Sequence, residues 1–184
     1  MRFSWVLVVV LASAPVIEAD DAAVETVRAV DLERYSGKWY EIARLPNRFQ
    51  RDCIGATAEY RQRPDGNIGV VNTCYREDGS KRSVQGKAQP VDGSSNAKLR
   101  VRFNGFWFKL LSWLIKPNYW VIDLADDYSY AVVGTPDRDY LWILSRERTM
   151  DPATYERIVE RIAAQGFDVD RISRTSVPES THGI

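Results

Sequence analysis

The sequence is poor in the residues on which most catalytic and metal sites depend. Histidine occurs once in 184 residues, at His182, so a histidine-based triad or a histidine-rich metal site cannot be assembled. No glycine-rich loop has the spacing of a phosphate-binding motif. We therefore expect a protein that is not an enzyme and that uses no cofactor and no metal ion.

An excess of charge of one sign is also missing. The chain has 25 basic and 25 acidic residues, whereas a surface that binds nucleic acid normally has a basic excess, so no nucleic-acid partner is expected. Asp123, Asp126 and Asp127 form a small acidic cluster. Because too few other oxygen ligands can be assigned to it, we interpret the cluster as solvated rather than as a metal site.

Long apolar runs are limited to the N-terminus. The segment from Phe3 to Ala14 follows Arg2 and is too short to span a bilayer comfortably. Small residues follow up to Ala19, which predicts a secretory signal peptide over residues 1–19. A membrane anchor or a misassigned start is the alternative.

Cysteine occurs only at Cys53 and Cys74. The sequence between them predicts a hairpin that turns at Arg63–Gly66, and a tight hairpin of this kind would place the two cysteines opposite each other. Export permits a disulfide, and closing this loop would stabilise the protein by about 3 kcal/mol in the chain-entropy model. Two free thiols are the alternative.

Apolar and polar residues alternate along most of the chain after residue 30, with turn signals at short intervals. The pattern predicts eight strands, at 38–45, 55–62, 67–75, 83–90, 97–103, 118–124, 128–134 and 139–146. Short connections favour antiparallel neighbours, and eight such strands close readily into an up-and-down barrel. We expect an all-β barrel domain over residues 31–175 and a disordered tail over 176–184.

One helix is predicted after the last strand. Asp151 is suited to the N-cap, Pro152 to the first helical position and Gly166 to the end of the helix. Apolar residues recur at helical spacing and predict packing against the outside of the sheet: Tyr155, Ile158, Val159, Ile162 and Ala163. Residues 168–173 are predicted to form a short edge strand.

The segments "GKWYEIARLPNRFQ" and "PDRDYLWILSR" together resemble the lipocalins, and more closely the bacterial lipocalins of the outer-membrane lipoprotein type. The resemblance spans about residues 31 to 175. It implies that Gly37 and Trp39 form the motif that closes the barrel floor and that Arg146 packs over this tryptophan from outside. "DDYSY", Asp126–Tyr130, partly matches a further family motif.

The resemblance also bears on location. Lipoprotein relatives carry a cysteine just after the signal peptide, and none lies between Ala14 and Asp20. We therefore expect an exported protein in the periplasm, near the outer membrane but without a lipid anchor.

An apolar connection at residues 104–117 follows the fifth strand and is expected at the open end of the barrel. It carries Lys109 and Lys116 among eight apolar residues: Phe106, Trp107, Phe108, Leu110, Leu111, Trp113, Leu114 and Ile115. One hypothesis is a lid or peripheral membrane contact, chiefly through Phe106, Trp107, Phe108 and Trp113. The alternatives are a loop folded onto the barrel mouth and a homodimer surface.

The inward positions of the predicted strands would form a cavity wall, since an eight-stranded barrel can hold one small ligand. These candidate ligand-binding residues are Ala56, Ala58, Tyr60, Val70, Asn72, Val84, Ala88, Leu99, Val101, Phe103, Tyr119 and Trp142, the last because the resemblance places a tryptophan there in the pocket. A filled core without a ligand is the alternative.

The function predicted from these residues is to bind and store or transport small hydrophobic ligands, such as fatty acids or lysophospholipids, in support of bacterial membrane maintenance. Two alternatives stay open. One is an interaction module that dimerises through residues 104–117, and the other is a lipocalin-like isomerase or haem binder.

Overall fold

An antiparallel sheet that closes on itself dominates the computed structural model, which describes residues 23–103 and 118–178. Its strands are β1 (Gly37–Arg44), β2 (Gly55–Gln62), β3 (Ile68–Tyr75), β4 (Lys81–Pro90), β5 (Lys98–Phe103), β6 (Tyr119–Leu124), β7 (Tyr130–Gly134) and β8 (Leu141–Ser145). Each strand pairs with the next, and β1 pairs with both β8 and β2, which closes the barrel. The predicted eight-stranded barrel is confirmed, with strand ends displaced by two residues at most.

Alternation along the strands divides the apolar residues between the two faces of the sheet. The inner cluster lies inside the barrel and has these buried members: Val30, Tyr35, Trp39, Ala58, Tyr60, Ile68, Val70, Ala88, Ala97, Leu99, Val101, Val121, Ala131, Val133 and Leu144. The outer cluster lies between the sheet and a helix, with these buried members: Val24, Ile42, Ala43, Leu45, Ile122, Val132, Leu141, Ile143, Ile158, Ile162 and Phe167. The chain thus builds two apolar cores on one sheet.

The predicted helix is confirmed as α2 (Pro152–Ala164), and it packs outside the barrel. The Asp151 side chain accepts a hydrogen bond from the Thr154 amide at 2.8 Å, as an N-cap residue should. Ile158 and Ile162 are buried at the sheet. Ala163 is exposed, so its predicted place in the apolar stripe is wrong.

The chain before β1 contributes an arm and a short helix, α1 (Leu32–Tyr35), which the alternation pattern does not indicate. The Asp31 carboxylate accepts from the Glu33 amide at 2.9 Å and caps α1. The arm is fixed by backbone hydrogen bonds from Val27 to Val121 and from Val30 to Ser95, each 2.9 Å long. These contacts bring α1 to one end of the barrel.

The edge strand predicted at residues 168–173 is largely wrong. Val169–Arg171 form a 3₁₀ turn, and the strand β9 is Ser173–Arg174. The reason is that β1 pairs with β2 only along its first half. The edge of its second half is therefore open on that side, and Ala43 and Arg44 pair there with β9. Beyond β9 the chain stays in contact with the barrel, and Val177 is buried.

Cys53 and Cys74 form a disulfide with a Cα–Cα distance of 5.4 Å. The geometry expected from the sequence is nevertheless wrong, because Cys74 lies opposite Ala56 in the β2–β3 register. The hairpin turns at Arg63–Gly66 as predicted, but its register is centred on Asp65 rather than on the midpoint of the two cysteines, and Cys53 precedes β2. The bridge therefore ties the β1–β2 connection to the end of β3 rather than linking facing strand residues.

Three predicted features fall outside the described residues: the signal peptide at 1–19, the apolar connection at 104–117, and His182 with the end of the tail. Within residues 23–103 and 118–178, none of the helices has the length and apolar character needed to cross a membrane.

Candidate functional site

One end of the barrel is closed by an aromatic floor. The Trp39 side chain is fully buried, and its indole N–H donates to the Tyr35 carbonyl at 2.8 Å. The Arg146 guanidinium lies 3.7 Å from the centre of the Trp39 ring and donates to the carbonyls of Arg34 and Lys38 at 2.6 and 3.0 Å. A planar cation can cover an indole and satisfy carbonyls together, so Arg146 joins α1, β1 and β8 at the floor.

The backbone around the floor needs unusual conformations at two positions. Gly37 has a φ of +94°, a region that favours glycine, and a Cβ atom there would lie 3.4 Å from the Arg146 guanidinium. Tyr128, in the β6–β7 turn within the Asp126–Tyr130 segment, has a φ of 63°. Its hydroxyl accepts from the Asp31 amide at 2.9 Å, which ties this turn to the cap of α1.

Three tyrosine hydroxyls meet above the floor, inside the barrel. The Tyr119 hydroxyl lies 2.8 Å from that of Tyr35 and 2.9 Å from that of Tyr60. Burial raises the pKa of Tyr60 to about 12 and raises the pKa values of Tyr35 and Tyr119 well above the ordinary value. The three phenols are therefore neutral at physiological pH and act only through hydrogen bonds.

Most of the predicted wall residues lie together in the barrel. Six are in the buried inner cluster: Ala58, Tyr60, Val70, Ala88, Leu99 and Val101. Phe103, Tyr119 and Trp142 are partly buried against that cluster. Ala56 is buried one inward position nearer the mouth than Ala58, opposite Cys74.

The remaining two wall residues, Asn72 and Val84, show where the barrel opens. Trp39 lies opposite Ala58, and Ala58 lies opposite Asn72. Asn72 in turn lies opposite Val84, and directly opposed residues of paired strands share a face. Val84 is 40% exposed although it belongs to this inward row. Solvent therefore reaches the inner face of β4, at the end away from the floor.

A buried polar network that the sequence did not predict lies at this mouth. Glu41 and Arg44 form an ion pair, and their side chains are 3% and 10% exposed. The Gln50 amide donates to Glu41 at 2.6 Å, and Arg44 donates to the carbonyls of Gln50 and Cys53 at 3.1 and 2.7 Å. The Trp142 indole N–H donates to the Gln50 amide oxygen at 2.8 Å. The network fixes the β1–β2 connection across the mouth.

The inward position of Arg44 depends on a break in the strand register. The β1–β8 register shifts between Glu41 and Ala43, so that Glu41 faces Leu144 and Arg44 faces Trp142. Strict alternation from Trp39 would have turned Arg44 outward. Two opposite charges three residues apart in an otherwise apolar strand were the only available signal.

The acidic cluster predicted near residues 123–127 is divided among separate contacts. Asp123 pairs with Arg161 at 3.2 Å, whereas Asp127 accepts from the Ser129 amide at 2.9 Å within its own turn. Among residues 23–103 and 118–178, no group of histidine, cysteine and acidic side chains is arranged to hold a metal ion.

Comparisons with known proteins agree with this architecture. Residues 30–177 match the family model described as a lipocalin-like domain. The chain is 39% identical to the outer membrane lipoprotein Blc of Vibrio cholerae over 82% of this chain and 84% of that protein. It is 36% identical to temperature-induced lipocalin-1 of Arabidopsis thaliana (87% and 91%) and 33% identical to bovine apolipoprotein D (82% and 80%).

Solved structures with similar folds include insecticyanin from Manduca sexta, with a TM-score of 0.66 and 22% identity over 85% of this chain and 86% of that one. The cockroach allergen Per a 4 is also similar, with a TM-score of 0.62 and 20% identity over 85% and 95%. At these identities the likeness concerns the fold alone.

Proposed function

Because the chain belongs to the lipocalin family, we propose that it binds a small hydrophobic or amphiphilic molecule inside its barrel. The observation that carries this proposal is the inner wall, which Trp39 closes at one end and which is open at inward-facing Val84. Apolar burial would drive binding, at about 0.8 kcal/mol for each buried methylene group. The wall residues predicted from the sequence are the proposed ligand contacts.

Fatty acids and lysophospholipids are the proposed ligand classes, because each offers a long apolar chain to such a wall. The name of one relative, apolipoprotein D, supports a lipid ligand. We extend the proposal to an exported protein that stores or carries such lipids in the periplasm, near the outer membrane, as part of membrane maintenance. Membrane contact and dimerisation through residues 104–117 stay predictions.

A pair of variants on β4 tests the barrel as the binding site. Val84→Phe enlarges an inward side chain at the mouth, whereas Ser83→Phe makes the same change on the exposed outer face. Fluorescence of N-phenyl-1-naphthylamine, a neutral apolar probe, reports occupancy. We expect Val84→Phe to weaken probe binding about tenfold, since the added ring occupies space that the ligand needs, and Ser83→Phe to leave it unchanged.

The natural ligand can be sought by native mass spectrometry of the exported protein, followed by extraction under denaturing conditions. One amphiphile per barrel is the expected result. A protein that arrives empty and binds neither the probe nor added fatty acids would refute the proposed function.

A further inference from the structure

The inner wall contains hydrogen-bonding atoms that are left without partners. The three clustered tyrosine hydroxyls carry three protons, but the two hydrogen bonds among them use only two. Within the described residues, the third proton has no acceptor. The side-chain oxygen of Asn72 is also buried and has no hydrogen-bond donor among the residues that the structure describes. A buried polar atom without a hydrogen-bond partner is unfavourable. A ligand group that forms the missing hydrogen bond with either atom would therefore be favoured.

Asn72 and Tyr60, which carry the unpartnered oxygen and one of the three clustered hydroxyls, are neighbours on the wall. Tyr60 lies opposite Val70, and Asn72 follows Val70 by one inward position on β3. Asn72 is thus a diagonal cross-strand neighbour of Tyr60, and the backbones of such neighbours are separated by about 7–8 Å. Small residues surround them, since Asn72 lies opposite Ala58 and Val70 lies opposite Gly86. This part of the wall therefore combines two polar side chains with small neighbours.

Near Tyr60 the described wall offers no cation, because its arginines lie toward the mouth. Arg44 is paired with Glu41 and with two backbone carbonyls there, and Arg76, whose Nε is buried without a hydrogen-bond partner among the described residues, lies beyond the mouth end of β3. Arg82 shares the inward row of Cys74 but is exposed and donates to the Phe49 carbonyl at 3.2 Å. An ionised carboxylate near the tyrosines would lose its hydration and gain one donor, which is unfavourable.

We propose that the deep end of the barrel binds a neutral hydroxyl group, so that the ligand lies with this group near Tyr60 and Asn72 and with its chain toward the mouth. A hydroxyl can accept the spare tyrosine proton and donate its own proton to Asn72. The preferred amphiphiles are then long-chain alcohols and related neutral lipids rather than ionised fatty acids. This inference rests on the proposed binding of an amphiphile inside the barrel, and it changes the preferred ligand class from ionised fatty acids to neutral lipids with a hydroxyl group.

Displacement of N-phenyl-1-naphthylamine by matched ten-carbon ligands tests the inference. The ligands are 1-decanol, 1-chlorodecane and, at pH 8, decanoate. The measured quantity is the ratio of the 1-decanol affinity to the 1-chlorodecane affinity, which cancels the contribution of the shared chain. Asn72→Leu removes the acceptor at similar volume, and Thr73→Leu is the control on the opposite face of β3.

We expect Asn72→Leu to lower the ratio about tenfold, which corresponds to one lost hydrogen bond with a buried donor left unsatisfied. Thr73→Leu should leave the ratio unchanged, and decanoate should bind the unaltered protein more weakly than 1-decanol. Replacing Tyr35, Tyr60 and Tyr119 together by Phe should also lower the ratio. Single tyrosine changes are unsuitable, because the remaining hydroxyls still have more protons than mutual hydrogen bonds.

The inference is wrong if the ratio is the same in the unaltered protein and in Asn72→Leu, or if decanoate binds as tightly as 1-decanol. If the tyrosine triple variant does not fold, the Asn72→Leu result decides. If the protein binds the probe but the ratio does not change, the proposed function stands and only this inference is wrong. Failure of the probe and of all three ligands to bind would instead overturn the proposed function itself.

Discussion

The outer and inner clusters lie on opposite faces of the same sheet, yet their compositions differ. Every buried member of the outer cluster has a pure hydrocarbon side chain, from Val24 to Phe167. The inner cluster contains two buried tyrosines and a tryptophan, and it repeats alanine at Ala58, Ala88, Ala97 and Ala131. Small residues and hydroxyl groups are a poor way to fill a core but a good way to line a binding site. The comparison indicates that the outer face serves mainly stability, and it supports the proposal that the inner face binds a ligand.

The largest expected effect comes from the helix side of the outer cluster. Ile162→Ala should lower the free energy of unfolding by about 2–5 kcal/mol, because it opens a cavity at a fully buried position between α2 and the sheet. Urea denaturation measures this loss. Affinity for N-phenyl-1-naphthylamine under native conditions should stay the same. Glu160→Ala, an exposed change on the same helix, is the control, and a comparable loss there would contradict the assignment.

Alkaline pH should weaken the inner cluster selectively. The folded-state pKa of Tyr60, about 12, exceeds the value of about 10 expected in the unfolded chain, so the unfolded state loses its proton first. The stabilising contribution is complete below pH 10 and is lost as pH rises through 12, at about 1.4 kcal/mol per pH unit for one such group. Unfolding free energies measured in urea between pH 9 and 12 give this slope.

Tyr60→Phe should make the alkaline decline shallower, because the variant lacks one of the raised groups. Tyr40→Phe is the matched control, since Tyr40 lies opposite Thr57 on the outer face of β1. Equal slopes in Tyr60→Phe and in the unaltered protein would count against a role for the buried hydroxyls.

The sharpest comparison uses two adjacent residues of β7, Val132 in the outer cluster and Val133 in the inner one, both fully buried. Each change to alanine should cost about 1–3 kcal/mol of stability, as large-to-small core changes do. Only Val133→Ala should also alter probe affinity, by about fourfold if the burial of the probe changes by the equivalent of one methylene group. Equal probe affinities in the two variants would remove the functional distinction between the faces.

Local patterns were sufficient to predict the barrel and α2. Period-two alternation located all eight strands, and Asp151 with Pro152 located the start of the helix, because these signals act over a few neighbouring residues. Features that depend on distant partners were missed. The 3₁₀ turn and β9 exist because β1 has an edge to cover at Ala43 and Arg44, which no sequence near residue 170 indicates.

The site was predictable to a lesser degree for the same reason. Inward alternation selected wall residues that the structure brings together, including Tyr60 and Leu99. The mouth network was missed because the register shift after Glu41 reverses the alternation, so Arg44 enters the barrel against the pattern. The disulfide was predicted correctly from an incorrect register, because Cys53 lies in the β1–β2 connection rather than on a strand and need not be directly opposite Cys74.

The pairing of β1 with three other strands has a consequence for synthesis. Tyr40 pairs with Ser145, which is synthesised 105 residues later, and Ala43 pairs with Arg174. A nascent chain can form the β2–β3–β4 meander early, but its first strand keeps an unpaired edge until nearly the whole domain has left the ribosome. Such late, long-range closure is slow and leaves apolar strands open to aggregation until β8 and β9 have been synthesised.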